Sequence, residues 1–229
     1  MKACFTPAPG KSEQAKLKLL AAALHFFSER GLEGATVREI AKAAGQNVAA
    51  IAYYFGSKDN LYGAVMESIV REIRHQMSDV LTETRTWRQG GGKSPAEALR
   101  LLKNIMSALY LRVVSRNEMK PMARLIIREQ MQPTAGFEVL YHQGFREVHA
   151  LLSYLVGTAL ERNPREREII ARTHAIMGQV YFFAIAREAI LRRMGWRDLE
   201  GRNATMVANL IKEHIEVLIT ALAGKRTQG

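Results

Sequence analysis

The side chains of this sequence that are best arranged for chemistry lie between residues 36 and 60. Ile51 and Phe55 stand one helical turn apart and predict the buried face of a short helix. The same helix must then place small alanines, with the paired Tyr53 and Tyr54, at least partly outward. Small residues allow close approach to a DNA duplex, and hydroxyl groups can donate hydrogen bonds to its phosphates. The pattern favours a helix that enters the major groove of DNA.

Side chains suited to catalysis or metal binding show no comparable arrangement. No pair of histidines has the HExxH spacing of a metal-binding helix, and Cys4 is the only cysteine. Neither a GxSxG sequence nor a Walker-type phosphate loop occurs, and the glycines at 90–92 form too short a run to cradle phosphates. We therefore expect no cofactor, no metal and no enzyme activity. A helical enzyme that assembles its acids and bases from distant helices is the alternative.

The elements that must position the segment are helices. Apolar residues recur at helical spacing along almost the whole chain, and no stretch keeps the strict alternation of a half-buried strand, so we predict an all-α fold. Several helix starts carry capping boxes, in which a side chain and the acid three residues later satisfy free amides. The pairs are Thr36 with Glu39, Ser94 with Glu97, and Asn163 with Glu166. We predict helices at about residues 12–30, 36–44, 47–55, 57–88, 94–115, 121–131, 134–160, 163–194 and 203–223.

The composition of the chain indicates which kinds of partner and location to expect. The 229 residues carry 33 Lys and Arg against 22 acids, a net charge of +11, so a polyanionic partner is expected. The eight basic and five acidic residues of positions 1–60 give +3, which leaves +8 for the rest, so charge alone does not locate a binding surface. No apolar run approaches the roughly 18 residues that cross a bilayer. We expect a soluble cytoplasmic protein without a membrane partner.

The chain divides where short helices give way to long ones, near residue 60. We predict a flexible arm at residues 1–11, a three-helix domain with a helix-turn-helix at 12–60, and a larger helical domain at 61–229.

The segment from about Ala15 to Val65 resembles the TetR family of transcriptional regulators. The shared pattern is a Thr-capped helix, an Ala-Gly turn, a second helix that ends on an aromatic pair and Phe, and a loop with Lys. In this sequence these are Thr36, Ala44-Gly45, Tyr53-Tyr54-Phe55 and Gly56-Ser57-Lys58. Gln46 and Ala52 depart from it, because a small apolar residue and tyrosine are common there. Residues 47–58 and 124–137 resemble the CecR-like branch more narrowly.

The resemblance implies a DNA-binding role for the helix that begins at Asn47. Gln46 and Asn47 are the candidates for base edges, and the small residues offer apolar contact or close fit. Tyr53, the free amides behind Thr36 and the ammonium of Lys58 are suited to phosphates. The alternative is that Thr36 and Asn47 are ordinary caps and a tyrosine belongs to the core. The predicted DNA-binding residues are Thr36, Gln46, Asn47, Val48, Ala49, Ala50, Tyr53, Tyr54 and Lys58.

The larger domain contains methionines and aromatic residues with a few polar groups, as pockets for small organic molecules do. Such a stripe is otherwise simply core, and the resemblance is what favours a pocket. The predicted lining is Met106, Tyr110, Arg128, Gln130, Phe137, Tyr141, His174, Met177 and Tyr181.

Arg124 and Arg128 stand one turn apart in an otherwise apolar helix, and a buried guanidinium needs a partner. We favour ion pairs with Glu129, Glu138 or Glu147 over contact with an anionic or polar ligand.

The last two long helices are apolar around most of their circumference, which favours burial against a second copy of the chain. TetR-like proteins dimerise through these helices, so the resemblance implies a homodimer. The predicted interface residues are Ile169, Ile176, Val180, Phe183, Val207, Leu210, His214 and Leu218.

Together these patterns predict a ligand-responsive repressor that binds a palindromic operator as a dimer and is released by a small-molecule effector. The CecR-like branch further implies target genes for membrane transport or antibiotic sensitivity, and an antibiotic-like or other amphipathic effector. A non-specific architectural DNA-binding protein is the remaining alternative.

Overall fold

The computed structural model describes residues 10–224, and within them it contains helices and no strand, which confirms the all-α prediction. Most of the predicted arm, with Cys4, lies outside the described residues. The first helix already begins at Lys11. Among the described residues no single helix has the length and apolar character to span a bilayer; one pair of helices, bent by 74° at its junction, passes that test together.

The first four helices form the part of the fold that presents the 36–60 segment. Capping side chains fix where three of them start: Thr36 accepts a hydrogen bond from the Glu39 amide, Asn47 from that of Ala50, and Ser57 from that of Asn60. The helices are α1 (Lys11–Gly34), α2 (Val37–Ala43), α3 (Val48–Phe55) and α4 (Lys58–Gln76).

The remaining helices build the larger part of the molecule. They are α5 (Ser78–Gln89), α6 (Pro95–Leu109), α7 (Lys120–Met131), α8 (Ala135–Leu140), α9 (Arg146–Ala159), α10 (Arg167–Ile185), α11 (Arg187–Met194) and α12 (Gly201–Gly224). A π-helical turn (Tyr110–Val114) extends α6, and a second (Tyr141–Phe145) joins α8 to α9.

Two predicted helices are wrong in detail. The predicted helix at 57–88 is interrupted at Met77, and the one at 163–194 at Ala186, where the chain turns so that the next residue, Arg187, reaches inward to the carbonyl of Val114. Asn163 does not begin a helix, because its side-chain oxygen accepts the Arg165 amide at 3.0 Å and closes a turn instead.

Two apolar cores lie one after the other along α4. The smaller core packs α1 to α4 together and also includes Leu125 of α7 and Leu140 of α8. The larger one packs α5, α6, α9, α10 and α12. Ile73 of α4 touches both cores. Helices of the larger region therefore complete the core of the smaller one, and the domain division near residue 60 stays a prediction.

A buried carboxylate connects these two regions. Glu129 of α7 is fully buried, and it accepts hydrogen bonds from the Tyr62 hydroxyl of α4 at 2.5 Å and from the Thr134 amide at 3.0 Å. The Thr134 hydroxyl also donates to it, at 2.9 Å. Burial and the neighbouring negative charge of Glu129 raise the pKa of Tyr62, so the phenol stays protonated and remains a donor.

We predict that Glu129→Gln lowers the free energy of unfolding by about 1–3 kcal/mol, because the new amide nitrogen would face either the Thr134 amide, which can only donate, or the Tyr62 hydroxyl, which would lose its acceptor. Urea denaturation, monitored by circular dichroism, measures this free energy. The exposed Glu67→Gln on α4 is the control and should change stability by no more than about 0.5 kcal/mol. A Glu129→Gln protein as stable as this control would mean that the buried network contributes nothing.

Candidate DNA-binding surface and internal cavity

The outward face of α3 is what the spacing of Ile51 and Phe55 predicts. These two residues are buried, with 2% and 9% exposure, whereas Tyr53 is 82% exposed and Val48 43%. Ala49 is exposed as well. Because only small side chains and one phenol project from it, α3 can approach another surface closely.

The start of α3 carries the polar groups. Asn47 is an N-cap whose side-chain oxygen accepts the Ala50 amide at 2.9 Å, while its amide nitrogen has no hydrogen-bond partner within residues 10–224. Gln46 is half-buried and its backbone amide donates to the Ala41 carbonyl at 2.8 Å. Gly45 between the helices has φ of 65°, a conformation that favours glycine. Asn47 is thus an ordinary cap that still presents a free donor.

Thr36 is held by a complete capping box at the start of α2. Its hydroxyl donates to the Glu39 carboxylate at 2.6 Å and accepts the Glu39 amide, and Arg30 donates to the same carboxylate at 2.6 Å. The Thr36 hydroxyl and Arg30 lower the pKa of Glu39 to about 2, so the carboxylate stays charged. The Thr36 hydroxyl is therefore already engaged, and the free amides of α2 are what this end of the helix offers to an anion.

Lys58 is the first residue of α4, and its side chain reaches the backbone just before α2. Its ammonium donates to the Ala35 carbonyl at 3.3 Å, and an ammonium has three donors, so others remain for a phosphate. Tyr54 is half-buried and its hydroxyl lies 3.1 Å from that of Ser12, which ties α3 to the start of α1. Tyr54 thus supports the surface more than it projects from it.

The start of α1 is a part of this surface that the sequence analysis missed. Besides the Ser12 contact, the Lys16 ammonium lies 5.7 Å above the Phe55 ring. The signal available was the basic spacing of Lys11, Lys16 and Lys18 at the head of an amphipathic helix.

An apolar cavity of about 110 Å³ lies inside the larger region, between α4, α7, α9 and α10. Met177 and Tyr181, both predicted as pocket residues, line it. Both π-helical turns contribute to its wall, the first through Val113 and Val114, the second through Phe145. π-helical turns inside longer helices are frequent at functional sites.

Most other predicted pocket residues lie elsewhere. Met106 and Tyr110 are fully buried and do not line the cavity, because they point into the larger core. Gln130, Tyr141 and His174 are exposed, since they lie on outer faces of their helices. Phe137 also lies outside the cavity and stacks on Tyr141 with ring centroids 6.1 Å apart.

His149 is the polar group that the sequence analysis missed in this cavity. It lines the wall, and its Nε2 is buried without a hydrogen-bond partner among the described residues. Burial, with a smaller contribution from His174, lowers the pKa of His149 to about 4, so the imidazole is neutral at pH 7. A bound molecule with one hydrogen-bonding group would satisfy it. Within the described residues no three metal-binding side chains cluster.

The predicted ion pairs of α7 are also corrected. Arg124 pairs with Glu29 of α1 at 2.5 Å, not with any of the acids proposed for it. Those acids have other partners: Glu129 binds Tyr62 and Thr134, Glu138 pairs with His142, and Glu147 with Arg74 and Arg85. Arg128 has no ion pair within the described part of the chain.

The predicted interface residues divide into two groups. Ile169, Ile176, Val180 and Val207 are at most 3% exposed and pack in the chain's own core, so a partner could not reach them. Leu210 and His214 are exposed, and Phe183 and Leu218 are half-buried. Other apolar side chains of α10 and α12 are exposed but were not predicted as interface residues, because their helical spacing fits a buried core equally well. These are Ile170, Phe182, Ile185, Met206 and Val217.

Comparisons with known proteins match both parts of the chain. Residues 19–65 match the model for bacterial regulatory proteins of the tetR family. Residues 98–222 match the C-terminal domain of the HTH-type transcriptional dual regulator CecR. The dual regulator CecR of Shigella flexneri is 32% identical over 219 residues, which cover 93% of this chain and 95% of that protein.

Solved structures share the fold. A transcriptional regulator from Rhodococcus sp. Rha1 superposes with a TM-score of 0.59 at 21% identity, covering 87% of this chain and 95% of its own. The hemolysin II transcriptional regulator HlyIIR superposes with a TM-score of 0.57 at 22% identity, covering 87% of this chain and 98% of its own.

Proposed function

This chain belongs to the TetR family of transcriptional regulators, with a C-terminal domain of the CecR type, and on that basis we propose that it is a homodimeric repressor released from a palindromic operator by a small-molecule effector. It acts in the cytoplasm on double-stranded DNA and has no catalytic role. The relative from Shigella flexneri is named a dual regulator. Repression is the part of that behaviour that we assign to this chain.

The observation that carries the proposal is the outward face of α3. Gln46 and the amide nitrogen of Asn47 are assigned to base edges, because the N-terminal residues of a recognition helix contact the bases in the major groove. The exposed phenol of Tyr53 and the ammonium of Lys58 are assigned to phosphates on either side. Val48, Ala49 and Ala50 supply close fit. With so few hydrogen-bonding groups, part of the sequence preference comes from the shape of the DNA.

Dimerisation is assigned to α10 and α12. Their exposed apolar side chains, such as Phe182 and Val217 at 58% and 63%, would be removed from water against a second copy. Two α3 helices related by a two-fold axis would then meet successive major grooves about 34–36 Å apart. A palindromic operator follows from that symmetry.

The cavity beside α4 is assigned to the effector. A molecule that fills it would contact α4 at Val70 and Ile73, and α4 begins directly after the DNA-binding helices. A difference of about 1–3 kcal/mol between the two states would change operator affinity roughly 5- to 150-fold. The effector therefore needs only a modest preference for the DNA-free state.

We expect Lys58→Ala and Gln46→Ala to weaken operator binding in different ways. Losing Lys58 removes a phosphate contact, so the affinity for all DNA sequences should fall. The slope of log affinity against log salt concentration should also decrease in magnitude by about 1. Losing Gln46 should cost about 1–3 kcal/mol at the base pair it contacts and relax specificity there. The measurement is DNA binding at several salt concentrations, on an operator found by genome-wide capture with the purified protein.

Lys93→Ala, in the glycine-rich turn after α5, is the matched control and should bind as the wild type does. Sequence-independent losses for Gln46→Ala, with altered base preference for Lys58→Ala, would refute the role assignment. Equal affinity for operator and unrelated DNA would identify an architectural binding protein instead of a repressor.

The assembly itself gives another prediction. Analytical ultracentrifugation at micromolar concentration should find twice the chain mass of 25.7 kDa for the wild type. Phe182→Glu and Val217→Glu should shift it toward the monomer, because each puts a charge in the apolar interface. Leu17→Glu on α1, an exposed apolar position far from that face in sequence, should remain dimeric. A wild-type monomer that still bound the operator would show that the two-fold arrangement is wrong.

A further inference from the structure

A second opening, a cleft of about 500 Å³, lies between α1, α7, α10 and α11. Its volume is in the range of small-molecule sites, which is roughly 300–1,000 Å³. Its lining is unusually basic, with Glu188 as the acid among the lining residues. The basic lining residues are Lys120, Arg124, Arg128 and Arg187.

Arg187 is a buried cation in the wall of this cleft. It is 7% exposed and donates to the carbonyls of Val114 and Ser115, each at 3.2 Å, and to the Asn117 side chain at 2.7 Å. All three acceptors are uncharged, and its buried Nε has no partner among the described residues. Glu200, Glu188 and Asp198 act on this guanidinium electrostatically, but none of them forms an ion pair with it among the described residues, so its charge is only partly compensated.

The other three cations of the cleft differ in whether a carboxylate pairs with them. Arg124 is neutralised by its ion pair with Glu29. Lys120 and Arg128, by contrast, form no ion pair and no side-chain hydrogen bond within residues 10–224. An anion that entered the cleft would therefore meet donors that no protein carboxylate occupies.

The cleft and the apolar cavity share a wall. Val114, Ala123, Ile127 and Ala184 line both of them. The basic opening is thus backed by apolar side chains, and beyond these lies the cavity that contains His149. A molecule with one negatively charged end and an apolar body matches this arrangement, in which basic side chains lie at the opening and apolar side chains lie behind them.

We propose that the cleft binds an amphipathic anion, with its charged head between Lys120, Arg128 and Arg187 and its apolar body against Val114 and Ile127. The inference rests on the proposed function, because it names the chemical class of the effector and extends its site from the cavity beside α4 to the cleft that shares a wall with it.

Arg128 connects this site to the DNA-binding helices. Its guanidinium lies against the backbone of Gly31, where α1 kinks with φ of 74°, and a Cβ at that position would lie 2.7 Å from the Arg128 Nη1. Drawing Arg128 toward a bound anion changes this contact. Occupation of the cleft is thereby coupled to the position of α1, and through the contact between Ser12 and Tyr54 to α3.

The test compares three ten-carbon probes on the full-length protein by isothermal titration calorimetry, below the concentrations at which the probes aggregate. Decanoate carries the anionic head, decanol has the same chain without charge, and decyltrimethylammonium has the opposite charge. Decanoate should bind at least tenfold more tightly than either. Arg128→Gln and Lys120→Gln should each reduce that preference about tenfold, whereas Lys93→Gln, outside the cleft, should keep it.

Equal affinity for decanoate and decanol would overturn the proposal, and so would an unchanged preference in both cleft variants. Circular dichroism identifies a variant that fails to fold, and the two substitutions are independent, so either one can decide. Operator binding without any probe is measured in parallel. If it persists while decanoate shows no preference, only the anion site is wrong; if it is absent while the preference remains, the proposed function fails and the site stands.

Discussion

A carboxylate with no access to water can stay in a protein only where donors surround it, and that requirement governs how this chain is joined together. Glu129 of α7 meets it through Tyr62 of α4 and Thr134 before α8. These bonds hold α7 and α8 against the DNA-binding helices, so that Leu125 and Leu140 complete the smaller core. A displacement of α7 would therefore alter the packing of that core. The carboxylate makes the two regions mechanically dependent on each other.

Local rules were enough to predict the DNA-binding helices. The caps Thr36 and Asn47 and the pair Ile51 and Phe55 act within one or two helical turns, and the structure has them as caps and as buried side chains. Such interactions involve residues close in sequence, which a single chain displays directly. The interruptions of the long helices were harder to predict from the sequence. At the bend at Ala186, Arg187 donates to the carbonyl of Val114, in the π-helical turn that extends α6, and these two residues are distant in sequence.

The pocket could not be predicted in the same way. Met106, Tyr110 and Met177 are alike in character, yet Met177 faces the cavity and the other two face the core. Which side a residue faces depends on how the helices cross, and apolar spacing alone does not contain that information. The role of His149 could not be predicted either, because no sequence pattern distinguishes a buried histidine from an exposed one. That its Nε2 lacks a hydrogen-bond partner is visible only once the surrounding residues are placed in three dimensions.

In the role proposed for α3, the cap at Asn47 restricts how this residue can contact a base. Asparagine recognises adenine through a paired contact in which its oxygen accepts from N6 and its nitrogen donates to N7. Here one lone pair of the oxygen already accepts the Ala50 amide, so such a pair would have to use the second lone pair while the cap holds the side chain in place. The nitrogen can still donate to a lone acceptor, such as guanine O6 or N7 or thymine O4. The cap thus limits the orientation in which the Asn47 side chain can meet a base.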